Sequence, residues 1–90
     1  MRGEGQEIGQ TADRVIERLR AIRTARGISQ AGLAAQVGMA RSVLSTAETG
    51  GRARGLTLVE ALALCAALDV DLARLLDPAP YEVPTGTITV

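Results

Sequence analysis

Apolar residues recur at intervals of three and four along the early part of the chain. Val15, Leu19 and Ile22 follow this spacing and arginines occupy the other faces, so the pattern predicts an amphipathic helix over residues 12–25. Residues 1–10 contain three glycines among polar neighbours and show no such spacing. We therefore expect a flexible arm over residues 1–10, ahead of the first helix.

Four shorter segments with helical spacing follow. The first two, over residues 30–37 and 41–48, are separated by Gly38, and the next two cover residues 58–68 and 72–76. Side-chain oxygens ahead of three of these segments can accept hydrogen bonds from the first free amides of each helix. The predicted caps are Ser29, Thr57 and Asp71. The residues predicted to face the core are Leu33, Ala34, Val37, Met39, Leu44, Ala47, Leu58, Leu62, Cys65 and Leu68.

The last part of the chain has the composition of an irregular tail. Three prolines lie within residues 77–84, and proline lacks the amide hydrogen that a helix interior needs. Within residues 85–90, threonine alternates with isoleucine and valine, which is typical of either a short strand or a frayed end. The chain thus divides into the arm, one domain over residues 11–76 and a proline-containing tail over residues 77–90.

Composition favours one small, all-helical domain. The chain has 90 residues, enough for a single core, and 47% of them are hydrophobic, although Tyr81 is the only aromatic residue. A core of leucine, alanine, valine and isoleucine favours helices packed on helices. A chain of this size buries only about 65% of its unfolded surface, so we expect association with a second copy to stabilise it.

Several classes of function are excluded by what the sequence lacks. It contains no histidine and one cysteine, Cys65, so we expect no metal site, no internal disulfide and no cofactor. The serines have no histidine base and no carboxylates pair at a useful spacing, so we expect no enzymatic activity. The longest apolar run has eight residues and the start lacks a hydrophobic signal segment, which predicts a cytoplasmic protein without a membrane span.

The charges are unevenly distributed along the chain, although their formal sum is zero. Residues 14–54 contain eight arginines against two glutamates, a net charge of +6. Residues 55–90 contain one arginine against five acidic residues, a net charge of −4. A basic first half suits a polyanion, and an acidic second half can face away from it or meet another chain.

The second and third predicted helices, joined by a tight turn at a glycine, have the arrangement of a helix-turn-helix. The run begins with Gly27-Ile28-Ser29-Gln30, continues with the pair Leu33-Ala34 and the turn Gly38-Met39, and closes with Glu48-Thr49-Gly50. These motifs resemble those of the Cro/CI (Xre) family of phage-repressor-like DNA-binding domains. The resemblance covers residues 12–76 and implies an all-α, five-helix, lambda-repressor-like fold.

The resemblance implies that the third helix enters the major groove of double-stranded DNA with its amino end first. Arg41, at that end, can pair its guanidinium fork with guanine O6 and N7. Gln30, at the start of the second helix, can face a phosphate, and Arg52 and Arg54 can contact phosphates or enter a minor groove. The expected DNA-contacting residues are Ser29, Gln30, Ala40, Arg41, Ser42, Ser45, Thr46, Arg52 and Arg54.

Two further sets of residues affect how the recognition helix is held and what it can read. The resemblance implies a buried ion pair between Arg23 and Glu48, which joins the first helix to the third and fixes its orientation. Three positions depart from the family pattern. Ala40 replaces a hydrogen-bonding cap, Gly32 weakens the second helix, and Thr46 replaces a long polar side chain. These departures predict few base contacts for each recognition helix.

Together these expectations describe a DNA-binding transcriptional regulator, with repression as the expected role. One recognition helix makes too few base contacts for selectivity, so we expect a homodimer on two half-sites about 34 Å apart. We expect the dimer interface in the acidic second half, at Leu56, Leu72, Leu75 and the tail. Two alternatives remain open: an antitoxin or accessory regulator whose tail holds a protein partner, and a protein-interaction module that no longer binds DNA.

Overall fold

The regular structure of the described chain is entirely helical. The structure, a computed structural model, describes residues 2–50 and 55–83. The helices are α1 (Arg2–Ala25), α2 (Gln30–Gln36), α3 (Arg41–Thr49), α4 (Leu58–Leu68) and α5 (Leu72–Leu76). The all-α, five-helix fold predicted from the sequence is therefore confirmed. The bounds of α4 and α5 agree with the prediction, and those of α2 and α3 each differ by one residue.

The helix starts form through the side chains that the sequence predicts. Ser29 Oγ accepts a hydrogen bond at 2.9 Å from an amide in the first turn of α2. Thr57 and Glu60 form a reciprocal capping box at the start of α4, and the Asp71 carboxylate accepts an amide hydrogen at the start of α5. These bonds satisfy amides that a helix leaves unpaired. At the start of α3, the N-cap residue Ala40 makes no side-chain hydrogen bond to the first amides of the helix.

The core lies where α1 packs against α3, α4 and α5, while α2 packs against α3 and α4. Val15, Leu19 and Ile22 form the inner face of α1, as their spacing predicts. Val37 and Met39, expected in the core, are only partly buried and pack against its edge. The buried core residues of the described chain are Val15, Leu19, Ile22, Leu33, Ala34, Leu44, Ala47, Leu64, Cys65, Leu68 and Leu75.

The inner face of α4 differs from the prediction. Leu58 and Leu62, expected in the core, are 67% and 48% exposed, whereas Leu64 is fully buried beside Cys65 and Leu68. Apolar residues surround this helix on nearly every side, so the three-and-four spacing fits more than one face. The side of α4 that was predicted to face the core is therefore exposed to solvent.

The first helix also differs from the prediction, because it begins at Arg2 rather than after a flexible arm over residues 1–10. Residues 2–10 contain no proline and include several glutamates and glutamines, which are good helix formers. Extending a helix that tertiary packing has already nucleated is far easier than starting one, so the glycines do not end α1. The added turns reach beyond the core, where Ile8 is 72% exposed.

The three leucines expected at a dimer interface differ in how far they are buried. Leu75 has no exposed surface and belongs to the core, so it cannot contact a second copy. Leu56 and Leu72 are partly buried and pack against the same core. The expectation is therefore wrong for Leu75, whereas an interface at Leu56 and Leu72 stays a prediction.

An arginine of α1 holds the segment that follows α5. The Arg18 guanidinium donates hydrogen bonds to the backbone carbonyls of Leu75 at 3.1 Å, Asp77 at 2.6 Å and Ala79 at 2.7 Å. Its central carbon lies 5.0 Å from the centre of the Tyr81 ring, within the range of a cation–π contact. Residues 77–83 have no helix, as their prolines predict. Arg18 ties them to α1, and Tyr81 and Val83 also pack against the core.

Two more arginines of α1 bind backbone carbonyls at helix ends. Arg14 donates to the carbonyl of Leu76 at 3.2 Å, and Arg26 donates to the carbonyl of Leu68. A helix leaves its last carbonyls without partners, so these guanidinium groups complete the ends of α5 and α4. The amphipathic pattern places arginines on the outer faces of α1, and the structure directs Arg14, Arg18 and Arg26 onto neighbouring helices.

Replacing Arg18 tests whether this anchor stabilises the fold. We expect Arg18→Ala to lower the free energy of unfolding by about 2 kcal/mol, because hydrogen bonds from a charged donor contribute about 1.5–3 kcal/mol. Urea unfolding followed by circular dichroism measures the change. Arg20→Ala is the matched control, since Arg20 is exposed and approaches Glu17, which is also exposed, at 3.7 Å. Equal midpoints for the two variants would show that the Arg18 bonds contribute no stability.

Candidate nucleic-acid interface

A glycine turn sets the angle between α2 and α3. Gly38 has φ of 70°, in the left-handed region that favours glycine. The Met39 amide then donates to the Ala34 carbonyl at 2.8 Å, which closes the end of α2 and reverses the chain. Ala40 is extended and leads directly into α3. The turn predicted at this glycine therefore places α2 and α3 against each other.

Arg23 of α1 and Glu48 of α3, the pair implied by the family resemblance, are joined by two hydrogen bonds. Arg23 Nε donates to Glu48 Oε2 and Arg23 Nη2 donates to Glu48 Oε1, each at 2.8 Å. The side chains are 12% and 4% exposed. The remaining nitrogen, Arg23 Nη1, donates to the Ile28 carbonyl at 2.7 Å. Because both charges are desolvated and fully paired, the contact locks α3 to the end of α1.

Gln30, expected to face a phosphate, also belongs to this cluster. Its Nε2 donates to Glu48 Oε1 at 2.9 Å, so the first residue of α2 is tied to α3. The amide nitrogen carries a second hydrogen, which this bond leaves available for an acceptor outside the protein. No sequence pattern indicates the contact with Glu48, because the two residues are 18 positions apart.

The surroundings of Glu48 change its acidity. Burial by itself raises the pKa of this carboxyl group, since it disfavours the charged form. Hydrogen bonds from Arg23 and Gln30, together with the charge of Arg23, outweigh burial and hold the pKa below its ordinary value of 4.5. Glu48 is therefore ionised at neutral pH and keeps its partners.

The residues expected to contact bases lie on the outer side of α3. Leu44 and Ala47 point into the core, whereas Arg41 and Ser42 are exposed and Ser45 and Thr46 are half-buried. Residues four apart share a face of a helix, so Arg41 aligns with Ser45 and Ser42 aligns with Thr46. Ala40 and Ser29 are exposed next to this face, at the starts of α3 and α2.

Several hydroxyl groups on α3 already have partners within the helix. Thr46 Oγ1 donates to the Ser42 carbonyl at 2.7 Å, and Thr49 Oγ1 donates to the Thr46 carbonyl at 3.0 Å. A hydroxyl that has donated its hydrogen remains an acceptor, so Thr46 suits a base amino group. Thr49 is exposed four residues after Ser45, and the same helical spacing would have identified it from the sequence.

The Arg41 side chain differs from the arginines that complete the ends of α4 and α5. Over residues 2–50 and 55–83, no hydrogen bond or ion pair engages its guanidinium, and the residue is exposed. Such a fork can form two parallel hydrogen bonds with a guanine edge or a phosphate. Arg52 and Arg54, also expected to contact DNA, lie outside the described residues.

A comparison with known protein families identifies the kind of domain to which α3 and its outer side belong. Residues 19–75, more than half of the chain, match the family model of the helix-turn-helix, HTH_3, of Cro/CI type. The chain belongs to the Cro/CI-type helix-turn-helix family. Membership of this family makes it a DNA-binding regulator of transcription. No curated protein and no solved structure matches the chain.

The match places the Cro/CI-type helix-turn-helix within α1 to α5 and leaves two segments outside it. Arg18 lies one residue before the matched segment, and the tail that Arg18 holds follows that segment. None of the helices in the described ranges is long and apolar enough to cross a membrane. Among the same residues, no three histidine, cysteine or carboxylate side chains gather as metal ligands.

The pKa of Glu48 predicts how stability depends on pH. Since this pKa is lower in the folded chain than its unfolded value of 4.5, the stabilisation is present above 4.5 and is lost as the pH falls through the folded pKa. At about pH 7 we expect Glu48→Gln to lower the free energy of unfolding by about 3 kcal/mol, because it leaves Arg23 buried without an opposite charge. Urea unfolding at about pH 7 and about pH 3 measures the difference, which should shrink at the lower pH.

Glu17→Gln is the control for this experiment. Glu17 is 68% exposed and approaches only Arg20, so its replacement should change stability little at either pH. A pH-independent loss in Glu48→Gln would contradict the proposed role of the Glu48 charge.

Proposed function

We propose that the chain binds specific double-stranded DNA sequences as a homodimer and represses transcription, with α3 of each copy in the major groove. The observation that carries this proposal is the exposed Arg41 at the amino end of α3, whose guanidinium has no hydrogen-bond or ion-pair partner among the described residues. The Arg23–Glu48 pair supports it, because the pair fixes the helix that presents Arg41. A fixed helix can insert the same face into the groove at every site.

Arg41 is the proposed reader of base identity. A guanidinium matches the O6 and N7 acceptors of guanine, and this bidentate contact contributes about 1–3 kcal/mol of discrimination. Ser42, Ser45 and Thr46 carry short hydroxyl side chains on the same outer side of the helix. Hydroxyls can accept from or donate to several bases, so these residues add contact with little selectivity. Ala40 offers a methyl group suited to the methyl of thymine.

Contacts with the sugar-phosphate backbone are proposed to set the position of the domain on DNA. Gln30 is held by Glu48, so the free hydrogen of its amide has a fixed direction beside α3. Ser29, Arg52 and Arg54 are proposed to add phosphate contacts, with minor-groove contact as the alternative for the two arginines. Backbone contacts carry no base information, and they therefore position Arg41 without selecting the sequence.

The dimer follows from the small number of base contacts that one α3 can make. With Arg41 as the one long polar side chain among the proposed base-contacting residues, a single copy distinguishes few base pairs. Two copies on half-sites about 34 Å apart combine the discrimination of both. Repression requires only that the dimer occupy DNA needed by another protein, so we propose it as the regulatory outcome.

Replacing Arg41 tests the proposed base reader. We expect Arg41→Ala to weaken binding to a duplex selected from a random pool by about 10- to 100-fold, because it removes a bidentate contact. Arg74→Ala is the control, since it removes the same charge from an exposed position on α5. Fluorescence anisotropy with labelled duplex measures both. Equal losses in the two variants would mean that Arg41 contributes only charge.

Salt dependence tests whether phosphate contacts contribute. With about six phosphates neutralised by a dimer, affinity should fall by about a thousandfold between about 50 and about 200 mM salt. The same anisotropy titration, repeated at several salt concentrations, gives the slope. Affinity that does not change with salt would contradict the phosphate contacts and favour a protein-interaction module.

A further inference from the structure

Arg20 lies on the flank of α1 that turns towards α3. Side chains three residues apart on a helix point about 60° apart, so Arg20 lies nearly one turn before Arg23 and slightly further round α1. Arg23 itself donates to Glu48 of α3. Arg14 and Arg18 extend from the opposite flank of α1, where they bind carbonyls of α5 and of the tail. Arg20 therefore belongs to the α3 side of the protein.

Two observations place this flank beside the connection between α3 and α4. The charge of Arg20 helps to lower the pKa of Glu48, which lies in the last turn of α3. Ile16, one turn before Arg20 on the same flank, lies near Gly55, where a β-carbon would be 3.9 Å from Ile16 Cδ1. Gly55 is the first described residue after residues 51–54. Arg20 is therefore close to both ends of this connection.

The guanidinium of Arg20 is available to another molecule. Its side chain is 51% exposed, and among residues 2–50 and 55–83 it donates no hydrogen bond. The carboxylate of Glu17, 68% exposed, lies 3.7 Å away. An exposed ion pair at this distance is weak, because water and salt screen both charges. Arg20 therefore stabilises the fold little and keeps its donors for a ligand.

We propose that Arg20 binds a phosphate of the DNA strand that borders the groove entered by α3. This inference rests on the proposed function, because it uses the same placement of α3 in the major groove. Since α3 enters with its amino end first, residues beside its carboxyl end lie at the level of the sugar-phosphate backbone rather than of the bases. The anionic groups at that level are phosphates, and a guanidinium fork matches their oxygens.

Glu17 competes with the phosphate for Arg20. Duplex DNA carries one negative charge about every 1.7 Å along its axis, so its backbone attracts Arg20 more strongly than one exposed carboxylate does. Binding also brings the Glu17 carboxylate near the same phosphates, which repel it. Glu17 therefore opposes binding, and we expect Glu17→Gln to strengthen it by about two- to fivefold, with a smaller gain when Arg20 is absent.

Replacing Arg20 tests the contact. We expect Arg20→Ala to weaken binding by about tenfold, both to the duplex selected from a random pool and to an unrelated duplex, because a phosphate contact carries no base information. The slope of log affinity against log salt concentration should fall by about one for each bound copy. Arg20→Lys should retain most of the affinity, since lysine also binds phosphate. Fluorescence anisotropy measures all three quantities.

Arg74→Ala is the matched control for Arg20→Ala. Arg74 is exposed on α5, which packs against α1 and α4, so its loss removes the same charge from another part of the surface. The affinity and the salt slope of this variant should change little. Urea unfolding of both variants, followed by circular dichroism, should give the wild-type midpoint and so separate a lost contact from a lost fold.

Duplexes with one uncharged phosphate identify the contact directly. When each phosphate in turn is replaced by a methylphosphonate, one position should weaken wild-type binding by about tenfold and leave Arg20→Ala unaffected. Equal losses for both proteins at every position, or an Arg20→Ala variant that binds as Arg74→Ala does, would overturn the contact and leave the proposed function intact. A loss confined to the selected duplex would also overturn it, because Arg20 would then read bases. Failure of the wild-type chain to bind any duplex would reject the proposed function together with this inference.

Discussion

The orientation of α3 depends on the buried pair between Arg23 and Glu48. Apolar contacts such as those of Leu44 would still be satisfied if α3 rotated slightly, because they have no preferred direction. A guanidinium and a carboxylate joined by two hydrogen bonds permit only one arrangement. Gln30 extends the same constraint to α2, so one carboxylate connects three helices. The buried Arg23–Glu48 pair thus fixes the orientation of the exposed face of α3.

The arginines of the basic first half act mainly within the protein. Arg14, Arg18 and Arg26 bind backbone carbonyls of the helices that pack against α1. The sequence shows a net positive charge in this region, but it does not show which guanidinium groups reach solvent. Arg20 and Arg41 are exposed, whereas Arg14, Arg18 and Arg26 are half-buried. A hydrogen bond to a neutral carbonyl leaves the charge of a guanidinium in place, so these three residues still contribute to the positive potential of the surface.

Much of the fold could be predicted from the sequence because its signals are local. Ser29, Thr57 and Asp71 cap helices at the predicted positions, since a cap depends only on its own turn. Leu58 and Leu62 were misplaced because an apolar helix gives no indication of which side meets the core. The Arg23–Glu48 pair came from family resemblance, and no periodicity would have found it. Contacts to backbone carbonyls have no sequence signature, because every residue offers the same acceptor.

The anchor at Arg18 has a consequence for synthesis of the protein. Its hydrogen bonds reach residues 56 to 61 positions further along the chain. A ribosome releases α1 long before it releases α5 and the segment beyond, so the apolar stripe of α1 stays uncovered during most of translation. The nascent chain can complete its core only when the last helix emerges.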